Sequence, residues 1–272
     1  MIWAVCAVVV VILAGLVLFL VAPEKVSAEA AAPFEKRAFA HRGLYELDQS
    51  VPENSLTAFR RAAEAGYGAE LDVQMTKDGV VMVMHDNDLK RACGVDAGIC
   101  DMTLEELKEL RLFGTGEPIP LFSEVLEIFG GKQPLIVELK SVPNKAELSA
   151  EVIRMLREYG GPACVESFDP AIVRYFRLHD PERVRGQLSA QVGFFRGTLP
   201  VSSAWILSRL LTNFLTRPNF VAYCTGPRPL TVRLCGRMGA IRALWTAREA
   251  DRHAKRMAEN DIVIFEGYRP EP

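Results

Sequence analysis

The chain opens on an unbroken apolar run. Residues 2–22 carry no charge, and most are Val, Ile, Leu or Ala. A run of that length meets the requirement of about 20 apolar residues for a bilayer-spanning helix. A segment rich in Ala and Glu follows, over 23–33. From residue 34 onward, short apolar runs alternate with stretches of helical period. Strands are predicted at 38–42, 69–75, 80–85, 135–140, 163–168, 185–189, 220–224, 241–246 and 262–265. Helices are predicted near 55–65, 103–111, 122–129, 145–159, 170–178, 201–215, 229–238 and 247–259. Strands alternating with helices imply parallel strands in βαβ units. One connection breaks the rule. Thr76-Lys77-Asp78-Gly79 is too short for a crossover, so 80–85 folds back as an antiparallel hairpin arm. Eight strands remain, the number of a single α/β TIM barrel, (β/α)8, at the usual length of about 250 residues. The expected organisation is a transmembrane anchor over 1–22, a linker over 23–33 and one catalytic barrel over 34–272.

The rival reading of the apolar run is a cleaved signal peptide. Val26-Ser27-Ala28 and Ala28-Glu29-Ala30 resemble small-residue cleavage sites. No Lys or Arg precedes the run, however, and it exceeds the ~7–15 residues of a signal core. An uncleaved single-pass anchor is the favoured reading. Positive charge follows the run at Lys25, Lys36 and Arg37, so the positive-inside rule predicts a cytoplasmic barrel.

Charge narrows the partners. Lys plus Arg is 32 and Asp plus Glu is 34, a net of −2. Such a balance gives no support for a nucleic-acid partner, which calls for a basic excess or stripe. Six cysteines are present without a CxxC, so zinc and redox motifs have no support. Cys93 and Cys100 share one predicted loop and are positioned to pair in an oxidising compartment.

The chemistry concentrates between Ala40 and Asp86. His41-Arg42-Gly43 ends the first barrel strand, Glu70-Leu71-Asp72 lies on the second, and His85-Asp86 ends the arm. Glu138-Leu139-Lys140 ends the next full strand. Only four histidines exist in the chain, and two of them stand here. A spacing of two puts both side chains of each pair on one strand face, and barrel active sites lie at the C-terminal strand ends. Charges in apolar strands are costly unless paired or bound to metal. Glu70, Asp72 and Glu138 thus form a candidate three-carboxylate site for one hard divalent cation, Ca²⁺ or Mg²⁺. Two imidazoles, an arginine and a metal site together suit phosphodiester cleavage. Each motif alone is compatible with ordinary packing; their joint occurrence at successive strand ends is what carries the reading.

These elements resemble the glycerophosphodiester phosphodiesterase family, a (β/α)8 barrel related in architecture to phosphatidylinositol-specific phospholipases C. The family pattern runs HRG, PEN[ST], E-x-D, T-x-DG, HD, E-x-K, S-F and W-T. Its counterparts here are His41–Gly43, Pro52–Ser55, Glu70–Asp72, Thr76–Gly79, His85–Asp86, Glu138–Lys140, Ser167-Phe168 and Trp245-Thr246. The resemblance covers about residues 38–265. It implies a metal at Glu70, Asp72 and Glu138, acid/base roles for His41 and His85, and phosphate binding by Arg42 and Lys140. Phe168 and Trp245 are expected either to wall the alcohol part of the substrate or to pack in the core. The implied reaction releases sn-glycerol 3-phosphate and an alcohol from a glycerophosphodiester.

Two alternatives stand beside it. The anchor permits lysophospholipase D action on membrane lysolipids, and the short stretch between HD and VELK leaves the pocket open to lipid-bearing diesters. An inactive phosphate- or lipid-binding barrel is disfavoured by the intact set of charged residues. The apolar stretch 201–215 is read as an outer barrel helix, with membrane contact as the rival. One departure from the family pattern stands out: the last strand ends Ile264-Phe265-Glu266-Gly267 rather than in I-T-D.

Overall fold

The computed structural model describes residues 1–271. Nine strands form: β1 (Arg37–His41), β2 (Gly68–Met75), β3 (Val81–Val83), β4 (Leu135–Leu139), β5 (Ala163–Ser167), β6 (Arg185–Ser189), β7 (Phe220–Cys224), β8 (Ile241–Ala247) and β9 (Ile262–Phe265). Eight are parallel and close on themselves, because β1 pairs with both β9 and β2. The short β3 pairs antiparallel with Val73–Met75 of β2, past the point where β1 ends. The chain is therefore a (β/α)8 barrel with a hairpin arm.

The strand period of two divides the barrel. Ala40, Leu71, Val73, Val137 and Val165 face outward into the core beneath the helices. Inward, Phe39, Ile136, Cys164, Phe220, Ala243 and Ile262 fill the lower barrel. Large and small side chains interlock there. A Cβ on Gly186 of β6 would stand 2.2 Å from the Phe220 ring. The segment 23–33 carries a short helix, Ala28–Ala31, capped by Ser27. Ala31 and Phe34 are buried against the same lower layer, so this stretch floors the barrel.

Three predicted helices change shape; that near 103–111 is a single turn, Leu104–Leu107, capped by Thr103. The stretch 201–215 is two helices, Val201–Ser208 and Asn213–Thr216, because Leu210 adopts φ +57° between them. The predicted 247–259 helix is helical only over His253–Glu259, preceded by a single turn at Ala250–Arg252. Strand β8 takes Ala247, following a register shift between Leu244 and Ala247. Cys93 and Cys100 are separate thiols. The helix Ile2–Val21 leaves the barrel with nearly all of its surface exposed.

Candidate active site

Strand register brings the predicted residues together. His41 lies beside Glu70 across β1 and β2, Asp72 beside Glu138 across β2 and β4, and Glu138 beside Glu166 across β4 and β5. All share the inward parity of the strands, one layer above the apolar floor. Glu70, Asp72 and Glu138 are buried, and one oxygen from each lies within 4.8 Å of the others. Buried in the same layer is Glu166, whose Oε2 has no hydrogen-bond partner among the described residues.

The local chain path fixes Arg42. Its φ is +56°, which turns the backbone at the end of β1. The Arg42 amide then donates to Glu70 Oε2 at 3.1 Å, and its carbonyl accepts from Asn54 N at 2.9 Å. Asn54 Nδ2 donates to Asp72 Oδ2 at 2.8 Å, while Ser55 caps the helix Leu56–Glu64 by accepting from Ala58 N. A Cβ on Gly43 would stand 2.9 Å from Ala58 carbon, so this helix packs directly on the turn. The PENS segment thus orients a carboxylate of the cluster rather than adding to it.

Electrostatics of the cluster are unbalanced. Lys140 Nζ is buried 2.9 Å from Glu138 Oε1 and 2.7 Å from Asp72 Oδ1; only the first contact has hydrogen-bond geometry. Burial opposes the ionised form of Asp72, but Lys140, His85 and Arg42 outweigh it and hold its pKa well below the usual range. Glu70 and Glu166 are pushed well above theirs, first by burial and then by neighbouring carboxylates. When all three predicted ligand carboxylates are ionised, Lys140 offsets one of them and two negative charges remain, the amount a divalent cation neutralises. An all-oxygen donor set fits a hard cation such as Ca²⁺ or Mg²⁺.

The two imidazoles stand in different settings. His41 Nδ1 faces Glu266 Oε2 at 2.5 Å, which leaves Nε2 3.8 Å from Glu70 Oε2. Burial lowers the His41 pKa, and Glu266 opposes that shift. Glu266 in turn accepts from Tyr45 Oη at 3.0 Å and from Arg248 Nε at 2.5 Å. Its own pKa is held down to about 2; burial resists, and His41 and Arg248 prevail. His85 is more exposed, with Nδ1 2.7 Å from Asp86 Oδ1. Arg91 ties the two halves together. It donates to Asp86 Oδ2 and to Glu53 Oε1, each at 2.6 Å, and Glu53 Oε1 also accepts from Arg42 Nη1 at 2.6 Å.

Beside His85, Glu138 and Lys140 opens a cavity of about 750 Å³, walled by Phe168, Phe194, Phe195, Leu199 and Leu207. The Phe168 ring lies edge-on to Trp245 at 5.7 Å and stacks on Phe194 at 5.4 Å. Trp245 Nε1 is buried without a partner among the described residues. The wall thus includes Phe168 of the predicted pair, with Trp245 packed behind it.

Glu266, Glu166 and Arg91 are parts of the site that sequence reasoning did not assign. The signal for two of them was strand parity: Glu266 continues the alternation of Ile262 and Ile264 one residue past β9, and Glu166 follows Cys164 on β5. For Arg91 the sequence offers only that Leu89-Lys90-Arg91 after His85-Asp86 resembles the family, which names no role; its partners Glu53 and Asp86 come from separate loops.

Fold and site together define a (β/α)8 barrel with a buried carboxylate cluster and two imidazoles at its C-terminal mouth. Residues 41–265 match the glycerophosphoryl diester phosphodiesterase family, and the chain belongs to it. It is 41% identical over 129 residues to a glycerophosphodiester phosphodiesterase of Caldanaerobacter subterraneus subsp. tengcongensis, covering 44% of this chain and 52% of that one. It is 42% identical over 154 residues to human glycerophosphodiester phosphodiesterase 1, covering 53% and 46%. The chain spans about half the length of these curated relatives. Among solved structures, a Thermotoga maritima glycerophosphodiester phosphodiesterase superposes with a TM-score of 0.62 at 27% identity, over 84% of this chain and 93% of that one. An Oleispira antarctica phosphodiesterase, in complex with the product sn-glycerol-3-phosphate, gives 0.70 at 22% identity over 87% and 94%, which bears on the fold.

Proposed function

We propose that this chain is a metal-dependent hydrolase of glycerophosphodiesters, releasing sn-glycerol 3-phosphate and an alcohol. The observation that carries the reading is the buried triad Glu70, Asp72 and Glu138, drawn within 4.8 Å beneath two imidazoles. These carboxylates hold one divalent cation, Ca²⁺ or Mg²⁺, which when bound neutralises charge on the non-bridging phosphate oxygens. Arg42 and Lys140 bind the same phosphate from the cluster's edge. Their ion pairs with Glu53 and with Asp72 and Glu138 keep both charged and in place. His41, buried and kept below its ordinary pKa, accepts the proton of the attacking hydroxyl through Nε2. Glu266 holds the proton on Nδ1. His85 faces the aromatic cavity and protonates the departing alcohol, with Asp86 fixing its ring. Phe168, backed by Trp245, packs on the alcohol portion.

One observation supports a second reading within the same chemistry. Glycerol, choline and ethanolamine are small and polar, whereas the wall beside His85 is largely aromatic and aliphatic. A lysophospholipid would place its acyl chain there, making the activity a lysophospholipase D. In either case residues 1–22 act as the membrane anchor, 23–33 join it to the barrel, and 34–272 form the catalytic unit.

The test is phosphodiester hydrolysis by the full chain in detergent. Glycerophosphocholine, glycerophosphoethanolamine and a lysophospholipid are assayed after EDTA treatment and after return of Ca²⁺ or Mg²⁺, with His41→Ala and Glu70→Ala as controls. Metal-restored release of glycerol phosphate, lost in both variants, is expected. Turnover of the lysolipid alone selects the second reading. A folded, metal-bound protein that turns over none of the three refutes both.

A further inference from the structure

From Arg183 to Arg248 the chain carries ten arginines and neither Asp nor Glu. The whole chain is −2, so the remainder carries −12. This segment runs from β6 to β8 and forms one flank of the barrel. Outside the N-terminal helix, nine large apolar side chains are exposed, and all but Leu47 and Leu178 lie in this segment. Val201, Trp205 and Ile206 stand on one short helix, at 76%, 47% and 39% exposure.

Its arginines are largely free of acidic partners. Arg196, Arg233 and Arg237 are exposed with no carboxylate within ion-pair distance among the described residues. Arg209 lies over the Trp205 ring at 4.3 Å. Between the helix Leu230–Arg237 and the outside of β7 and β8 is a groove of about 430 Å³, lined by Arg228, Arg233, Arg237 and Arg242 with no acidic side chain.

The same flank receives the end of the N-terminal helix. Arg217 Nη1 donates to the carbonyls of Phe19 and Ala22, each at 3.0 Å, and its guanidinium lies 4.8 Å above the Phe19 ring. Asn213 Nδ2 donates to Val21 O at 3.4 Å, and Phe19 packs on Phe214 at 6.1 Å. The last carbonyls of a helix have no partners within it, so the flank completes that end. Docking of the apolar helix is therefore continuous with the exposed apolar and cationic surface.

We propose that this flank lies against an anionic phospholipid surface. Trp205, Ile206 and Val201 enter the boundary between headgroups and acyl chains, and Arg209, Arg233 and Arg237 meet the phosphates. An amphipathic Trp with a basic rim is the composition that interfacial segments use. Arginine stems cover apolar surface while their heads stay with the anions. Phe194, Leu199 and Leu207 belong both to this flank and to the wall of the cavity beside His85. Lying down on this side brings the mouth to the interface. The inference goes beyond the hydrolase reading and holds whether or not the centre is active.

The full chain has three tryptophans, Trp3, Trp205 and Trp245, which makes the test direct. It is reconstituted in vesicles of brominated phosphatidylcholine with and without phosphatidylglycerol. The emission lost in Trp205→Phe isolates Trp205, and that lost in Trp3→Phe isolates the N-terminal helix. Quenching of roughly half of the Trp205 emission is expected in the anionic vesicles, as for a side chain at the acyl boundary. It should fall in neutral vesicles and in Arg209→Gln/Arg233→Gln/Arg237→Gln, with an unchanged far-UV melt showing that the variant is folded. Trp205 unquenched in both lipids overturns the proposal, and quenched Trp3 in the same sample leaves the span intact. Quenched Trp205 with unquenched Trp3 leaves the flank contact standing and removes the span. Self-association in detergent that is lost in Trp205→Phe, without lipid quenching, assigns the face to a second copy and overturns the lipid contact.

Discussion

Glu266→Gln tests the proposed division of labour at the mouth. The carboxylate stands 2.5 Å from His41 Nδ1 and is itself fixed by Tyr45 and Arg248. It does two things for the imidazole. It holds the ring so that Nε2 points toward Glu70, and its charge raises the ring's proton affinity against the burial that lowers it. Glutamine keeps the shape and one acceptor oxygen but removes the charge. Losing a carboxylate behind a working imidazole costs roughly 10–100-fold in activity, within the ~10²–10⁴-fold that acid/base catalysis supplies. The expected loss in kcat is therefore about 10–100-fold, or ~1.4–2.7 kcal/mol of barrel-mouth transition-state stabilisation. KM should change little, because Glu266 does not line the cavity beside His85. The direction in pH is also fixed. Without Glu266 the His41 pKa falls further, so the acidic limb of kcat/KM moves to lower pH. The assay is steady-state hydrolysis of glycerophosphocholine across pH, with thermal melts confirming a folded variant. A kcat within about twofold of the parent, or an acidic limb that moves upward, refutes the assignment of His41 as base.

Glu138→Gln removes a carboxylate of the triad, so calorimetry should show Ca²⁺ or Mg²⁺ binding weakened by about 10-fold or more, read without any substrate. In Glu166→Gln the sign of a pH effect can be checked. The Glu166 pKa is raised in the folded state, first by burial and then by Glu138 and Asp72. The folded chain thus binds more protons above the unfolded value, and stability falls as pH rises. In metal-free protein the parent's melting temperature, taken relative to the variant's, should decline as pH rises above the ordinary carboxylate range; a flat difference would dismiss the buried charge. Arg91→Ala should lower kcat about 10-fold by freeing Asp86 and Glu53, and Arg91→Lys should not rescue it, because one ammonium does not reproduce a fork holding two carboxylates. Gly186→Ala places a methyl 2.2 Å from the Phe220 ring and should destabilise the fold by ~1–3 kcal/mol without touching metal affinity, measured by denaturant melts.

What the sequence made legible follows from period. The predicted strands 185–189, 220–224 and 262–265 have the observed ends; 220–224 and 262–265 are short unbroken apolar runs bounded by polar residues. The triad was legible for the same reason: Glu70, Asp72 and Glu138 share parity with inward apolar neighbours. The break at Leu210 was not: Ser208-Arg209 and Thr212-Asn213 flank it, but no Gly or Pro stands there to mark a helix end. Glu266 was read as a departure at the barrel rim. The parity of Ile262 and Ile264 pointed it inward, but only the closure of β9 on β1 sets it against His41. The Arg42–Glu53–Arg91–Asp86 chain lies beyond strand period, because two loops and the short helix Lys90–Cys93 supply it.

The division of the barrel into layers explains how so many buried charges are tolerated. Phe39, Ile136, Phe220 and Ile262 carry the packing below, floored by Ala31 and Phe34. One strand step higher, the same ladders present His41, Glu138 and Glu166, where burial without full pairing is unfavourable. A cluster placed for stability alone would match each carboxylate with a base, as Asp180 is matched by Arg157 and Arg183 at the barrel's edge. This one instead leaves Glu166 Oε2 without a partner among the described residues and, with the triad ionised, sets a single ammonium, Lys140, against three carboxylates. Unmatched charge at the mouth, above an apolar layer able to support it, is what a binding site for a cation and a phosphate requires. Replacing Glu166, which has no basic partner, by a neutral residue should therefore stabilise the metal-free barrel, whereas replacing Asp180 should destabilise it. An enzyme site and a structural ion pair are separated by that opposition.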